Sequence, residues 1–299
     1  MKLQDIHIRD PFVMVVDGHY YLYGSRGPET WGKCTGLDVY VSDDLEDWSE
    51  PVEVFNGTKD FWSDTNYWAP EVHKYQGSYY MFASFISDTR RRGTQILKAD
   101  SPMGPFRPHS DGPVTPAEWE CLDGTLYVEN GKPYIIFCHE WSQIRDGEMC
   151  AMELTPDLKE PAGAPILLFK ASEPSWSTGL GNPEEQPEKE KRSYVTDGPF
   201  MYRTAGGRLL MIWSSFSQGE YCEGIAYSDN GSVTGKWQHD DRLLFAKDGG
   251  HGMLFRDKDN VLKFICHQPN VSPLERPVVV EILEGDDTLY VKTREGAKE

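Results

Sequence analysis

The sequence is short of positive charge: its 299 residues carry 30 Lys and Arg against 48 Asp and Glu, a formal net charge of −18. That balance argues against a nucleic-acid partner, because a phosphate backbone is gripped by clustered basic side chains. The one basic knot, Arg90, Arg91 and Arg92, is short and reads as a solvated loop. No apolar run approaches the roughly 18 residues that a membrane helix needs, so no membrane partner is expected. The six cysteines, Cys34, Cys121, Cys138, Cys150, Cys222 and Cys266, contain no C-x-x-C pair. Neither a zinc cage nor a redox motif is written by that spacing, and thiols inside apolar strand patterns behave as small hydrophobes. The opening "MKLQDIHIRDP" lacks the apolar core of a signal peptide, which leads to the expectation of a cytoplasmic enzyme. Helical periodicity is nearly absent too; "PEEQPEKEKR" is polar on every side and reads as a solvated loop.

Glycine and proline are plentiful instead, 28 and 20 residues, as frequent sharp reversals of an all-β chain require. "RDPFVMVVDGHYYLYGS" and "TDGPFMYRTAGGRLLMIWSS" share one grammar: an acid, an apolar strand, a glycine turn and a second strand. Three more copies follow it, "WAPEVHKYQGSYYMFASF", "CLDGTLYVENGKPYIIFCHEW" and "GHGMLFRDKDNVLKFICHQ", and each copy is followed by a third strand. The turns "DG", "QG", "NG" and "GG" are hairpin signals. A hairpin plus a third strand, recurring about every fifty residues, marks a propeller blade. The fold expected is all-β: a single-domain, five-bladed β-propeller with blades at roughly 8–50, 66–108, 119–163, 194–238 and 248–292. An inserted loop falls at about 172–193, and its first half, with Trp176, is a candidate rim segment.

In a propeller the inner strands run alongside the central axis in one direction, so their starts converge at one mouth. The repeat puts Asp10, Ala69, Asp123, Asp197 and His251 at those starts. Carboxylates gathered there raise one another's pKa, and stability gives no reason to collect them. Glycosidic hydrolysis does give one, since it needs a carboxylate to activate water and a carboxylic acid to protonate the leaving oxygen.

Over its whole length the chain resembles glycoside hydrolase family 43. The residues that carry the likeness are "RDPFV", "YWAPEV", "LDGTLYVENGKPY", "TDGPF" and "GGHG", one per blade and in that order. The resemblance implies an inverting five-bladed enzyme acting on arabinose- and xylose-containing glycans. It implies Asp10 as general base, Asp123 as the residue that tunes and orients the acid, and Asp197 as the acid itself. The family usually has Glu-Gly-Pro where this chain has Asp197-Gly198-Pro199. Aspartate is one methylene shorter, about 1.5 Å of reach, and a misplacement of that size can cost about a hundredfold in rate. Three readings follow: a closer backbone with Asp197 still the acid, a substitute among Glu140, Glu148 and Glu71, or a glycan-binding propeller without catalysis.

The resemblance also implies that His251 reaches the channel centre, where a calcium ion held through water is a candidate; no organic cofactor is expected. Trp68 in "YWAPEV" resembles a residue beside the catalytic pocket and is a candidate for stacking on a carbohydrate substrate, with Tyr67, Trp141 and Trp213 as further rim candidates. Arg276 in "LERPVVVEI" resembles an arginine that hydrogen-bonds sugar hydroxyls. The function expected is release of arabinofuranosyl or xylosyl units. A phosphorylase would need a basic cluster around phosphate. A fructan hydrolase would have Asn-Asp-Pro where this chain reads Arg9-Asp10-Pro11.

Overall fold

A computed structural model describes residues 1–57, 60–180, 192–285 and 287–292. Each repeat forms one antiparallel sheet of four consecutive strands. Blade one holds β1 (Ile8–Val16), β2 (His19–Arg26), β3 (Gly36–Ser42) and β4 (Val52–Asn56). Blade two holds β5 (Thr65–Tyr75), β6 (Ser78–Ser87), β7 (Arg90–Ala99) and β8 (Arg107–Pro113). Blade three holds β9 (Cys121–Glu129), β10 (Lys132–His139), β11 (Glu148–Glu153) and β12 (Ile166–Lys170). Blade four holds β13 (Asp197–Arg203), β14 (Leu209–Ser217), β15 (Glu220–Ser228) and β16 (Trp237–His239). Blade five holds β17 (Gly250–Arg256), β18 (Leu262–Gln268), β19 (Arg276–Glu284) and β20 (Leu289–Val291). The fold is the five-bladed propeller that the repeats specify.

Local chemistry accounts for the hairpins. Asp17-Gly18, Gln76-Gly77 and Asn130-Gly131 all have positive φ at both positions, the two-residue turn whose twist matches the flanking strands. β1 packs on β17, β18 and β19, so the ring closes by side-chain packing and not by a swapped strand. Large side chains such as Phe82, Phe85, Phe137 and Phe264 are fully buried between and within sheets. Each contributes on the order of 2–3 kcal/mol by leaving water. All six cysteines are free and buried, in keeping with a packing role. Among the described residues no helix is long and apolar enough to cross a membrane.

Two expectations change here. Arg90, Arg91 and Arg92 open β7 and are not a loop, and Arg92 is buried. Trp176 packs against Trp213 in the blade-four core and does not stand on a rim. The "PEEQPEKEKR" reading lies outside the described residues except for its last residue, Arg192, which is buried.

One irregularity organises the molecule. All five inner strands carry the same bulge, one extra residue between the pairs Arg9↔Ser25 and Phe12↔Tyr23, and likewise after Trp68, Leu122, Asp197 and Gly250. The residue that opens each bulge has left-handed backbone: Asp10 (φ 53), Ala69 (48), Asp123 (57), Gly198 (51) and His251 (51). Four of the five are not glycine, a strain on the order of 1 kcal/mol or more apiece. Blade four therefore aligns one residue later than the repeat suggested. Gly198, not Asp197, matches Asp10, while Asp197 matches Arg9 and Trp68.

The bulges are tied blade to blade. Ser25 Oγ accepts from Ala69 N–H (2.8 Å), Ser84 Oγ from Asp123 N–H (3.0 Å) and Ser214 Oγ from His251 N–H (2.7 Å). His267 Nδ1 accepts from Asp10 N–H at 3.3 Å and completes the circuit. At the remaining step Cys138 stands opposite Leu122, where the other blades have Ser or His. There Asp123 Oδ2 itself accepts from Gly198 N–H, at 3.0 Å.

Candidate active site

The bulge sets which groups meet at the mouth, since it turns the opening residue of each inner strand inward. Asp10 Oδ2 accepts from Ser25 Oγ at 2.5 Å, and Asp10 Oδ1 lies 3.2 Å from His251 Nδ1. Burial alone would push the Asp10 carboxyl up. His251, Arg9 and the Ser25 hydroxyl outweigh that and hold it below its ordinary value. His251 Nδ1 is also 3.7 Å from Asp123 Oδ2, so the histidine stands between two acids.

Asp197 has the opposite setting. Burial, then the nearby Asp123 charge, pushes it up to about 7, against the opposing pull of His251 and of a hydrogen bond from Tyr221 Oη at 2.9 Å. Asp123 lies deeper, 4% exposed, and burial together with Asp10 raises it well above the usual carboxylate range despite the Gly198 N–H. Near neutral pH the mouth thus offers one ionised carboxylate, Asp10, beside a carboxyl poised to hold a proton, Asp197. The three sequence-predicted acids are brought together, with His251 among them.

A support that the sequence reading did not single out stands behind Asp10. Burial and the Arg9 charge drive the His267 pKa down to about 3, so the ring is neutral and its Nδ1 is free to accept from Asp10 N–H. Its Nε2–H then donates to Asn270 Oδ1 at 3.2 Å. Arg9 donates to that same oxygen (2.7 Å) and to Glu275 Oε1 (2.8 Å). The relation shows only once the blades are aligned on the bulge, which puts Arg9 where Asp197 stands, and His267 where Ser25, Ser84 and Ser214 stand.

The aromatic candidates divide. Trp68 lies at the mouth, with its Nε1–H bonded to Thr30 O at 2.6 Å and the Arg92 guanidinium 3.5 Å from its ring centre. Trp31, missed in the sequence, meets Trp68 edge-on at 5.2 Å and is 60% exposed, which leaves a ring face open. Tyr67 and Trp213 are corrections: both are fully buried, Tyr67 among Phe55, Phe61 and Phe85, Trp213 among Phe169, Trp176 and His239. No sugar can stack on either, because the core already covers them. Trp141 is half-buried at the head of the short helix α1 (Trp141–Ile144). Arg276 Nη1 donates to the carbonyls of Pro273 (3.2 Å) and Glu275 (2.6 Å), which braces the turn that carries Arg9's partner.

Of the alternative acids, Glu148 pairs with His139 and Lys170 on the third strand of its blade, and Glu71 pairs with His73. Glu140 lines a cavity of about 500 Å³ with Arg91, Arg92, Glu120, Ser142 and Gln143, and burial raises its pKa in spite of Arg92. A second cavity, of about 710 Å³, shares Arg91 and Arg92 and runs along Pro113, Val114 and Pro116. The larger space lies along blades two and three, and Arg92, which lines both cavities, stacks on the Trp68 ring.

The described residues form no direct calcium cage around His251; an ion at the channel centre would be held through water. Calcium takes six to eight oxygen ligands, whereas His251 presents nitrogen and directs Nδ1 at two carboxyl groups. No group of three or more His, Cys, Asp or Glu suited to a metal occurs among the described residues.

Known proteins share this family profile and fold. Residues 5–288 match the sequence profile described as glycosyl hydrolases family 43. An endo-arabinase structure from Bacteroides thetaiotaomicron is 38% identical with a TM-score of 0.87, covering 96% of this chain and 98% of that one. A thermostable family-43 glycoside hydrolase shares the fold at 22% identity and a TM-score of 0.82, covering 98% of this chain and 95% of the other. The extracellular endo-alpha-(1->5)-L-arabinanase 1 of Bacillus subtilis is 24% identical over 152 residues, 46% of this chain and 45% of its own length. The match thus spans about half of that curated relative.

Proposed function

Because the chain belongs to glycosyl hydrolase family 43, we propose that it is an inverting hydrolase that cleaves within arabinan chains. The observation that carries the reading is the split between two acids at one mouth. Asp10 is held ionised by its cationic and hydroxyl neighbours, and Asp197 is held near neutrality by burial. In a single displacement Asp10 takes a proton from water as that water attacks the anomeric carbon. Asp197 gives its proton to the departing glycosidic oxygen, so charge is balanced in one step. Asp123, tied to Gly198 N–H, fixes the spacing between blades three and four, and because two buried carboxyl groups resist ionising together it helps keep the proton on Asp197.

Arabinan is favoured over xylan by the likeness to the Bacteroides thetaiotaomicron endo-arabinase, at 38% identity, and to the Bacillus subtilis arabinanase. Internal cleavage is favoured by the two adjoining cavities, which give a polymer room along blades two and three. The Trp31–Trp68 pair supplies apolar faces for furanose rings. The test is digestion of linear arabinan followed by proton NMR. Expected are mixed oligosaccharides from the first minutes and initial formation of the anomer opposite to that of the substrate linkage. Monosaccharide alone, or activity on xylan only, would refute it.

A second reading takes Glu140 as the acid, favoured by its raised pKa and its place in the cleft beside Arg92. An Asp197→Asn variant that keeps full activity on arabinan would select it.

A further inference from the structure

Two of the five bulges are built differently from the rest. After the left-handed residue, blades one, two and four have Pro11, Pro70 and Pro199, which fix φ and carry no N–H. Blades three and five have Gly124 and Gly252, whose N–H groups point into the buried interblade space. Proline cannot stand at Gly252, where even a Cβ would come within 2.2 Å of the Phe264 ring. Each of these N–H groups finds an acceptor on the third strand of the preceding blade: Thr94 Oγ1 for Gly124 at 3.1 Å, Glu223 Oε2 for Gly252 at 3.2 Å. Thr94 is paired across the sheet with Ser84, and Glu223 with Ser214, the serines that hold Asp123 N–H and His251 N–H. Where the next blade has proline there is nothing to accept. There the third-strand residue is apolar: Met149 opposite Cys138, before Pro199, and Pro277 opposite His267, before Pro11.

We infer that Glu223, acting with Ser214, is a positioning residue for His251, and that Thr94 with Ser84 does the same for Asp123. Glu223 is fully buried, and Ser214 Oγ donates to its Oε2 at 2.5 Å. Oε2 therefore receives two hydrogen bonds, while Oε1 has no partner among the described residues. That asymmetry fits a neutral acid whose Oε1 carries the proton, and burial pushes the group up to about 8. A glutamine reproduces it atom for atom, with oxygen accepting and NH2 in the place of OH.

Backbone exchange tests this without any substrate, and kinetics on arabinan add an arm that rests on the proposed function. In Glu223→Leu the Gly252 amide should exchange about tenfold faster while the Gly124 amide stays unchanged. In Thr94→Val the two should trade places. On arabinan Glu223→Leu should lose about tenfold or more in kcat with KM held within about twofold, and Glu223→Gln should restore both rate and protection. Unchanged Gly252 exchange in Glu223→Leu overturns the inference, as does a glutamine variant as slow as the leucine one. Should the leucine variant fail to fold, Gly124 exchange in Thr94→Val decides the matter. A wild type inactive on arabinan would count against the proposed substrate and leave the exchange result standing.

Discussion

Asp123 Oδ2 caps the backbone N–H of Gly198 at 3.0 Å, the residue next to Asp197. Elsewhere in the ring that task falls to a serine hydroxyl or a histidine nitrogen; here Cys138 has displaced it and a carboxylate has taken over. The substitution ties the tuning acid physically to the strand that carries the proton donor.

Asp123→Asn and Asp123→Ala should therefore differ. Asparagine keeps an acceptor for Gly198 N–H but cannot ionise, so the like-charge coupling that raises Asp197 is lost and the alkaline limb of activity should move to lower pH. Alanine also orphans a buried N–H, which should cost about 1–3 kcal/mol in unfolding free energy. Equal stabilities by urea denaturation would show that the cap is inessential.

The wild-type pH profile carries a sign of its own. Asp197 must be protonated and Asp10 ionised, so kcat/KM should fall as pH rises through about 7. On the acid side it should persist until Asp10, held below its usual range, takes up a proton. A profile that rises through pH 7 would be incompatible with Asp197 as donor.

Glu223 bears on stability as well. Its folded-state pKa of about 8 lies above the reference 4.5, so its contribution is full below about 4.5 and is lost as pH climbs toward 8. Glu223→Gln should thus gain on the wild type through that window, by on the order of 5 kcal/mol at most. Melting temperatures that diverge between about pH 5 and 9 are expected; parallel curves would mean the buried group never ionises.

Trp31→Ala should fold normally, because the side chain is 60% exposed, and should raise KM several-fold with little change in kcat. An unchanged KM for arabino-oligosaccharides would remove the Trp31–Trp68 pair from the binding surface.

Much of this was legible in the sequence because the repeat is written in turn chemistry. The Asp17-Gly18, Gln76-Gly77 and Asn130-Gly131 turns and the alternating strands announce the blades, and Asp10, Asp123 and His251 do share one structural position. What could not be read was the bulge. It displaces Asp197 by one residue from that position, yet its only trace is a Pro or Gly after the opening residue. Tyr67 and Trp213 misled because a core tyrosine or tryptophan and a sugar platform look alike in a strand; only packing separates them. Trp31 and His267 belong to no motif: packing of blade two on blade one seats Trp31 against Trp68, and closure of the ring seats His267 against Asp10.

The most direct measurement compares Asp197→Asn and Asp10→Asn on an arabino-oligosaccharide and on its dinitrophenyl glycoside, whose leaving group needs no proton. Asp197→Asn should lose the first activity by about a thousandfold and keep most of the second, while Asp10→Asn should lose both. Equal losses on both substrates in Asp197→Asn, or turnover surviving in Asp10→Asn, would contradict the assignment of base and acid.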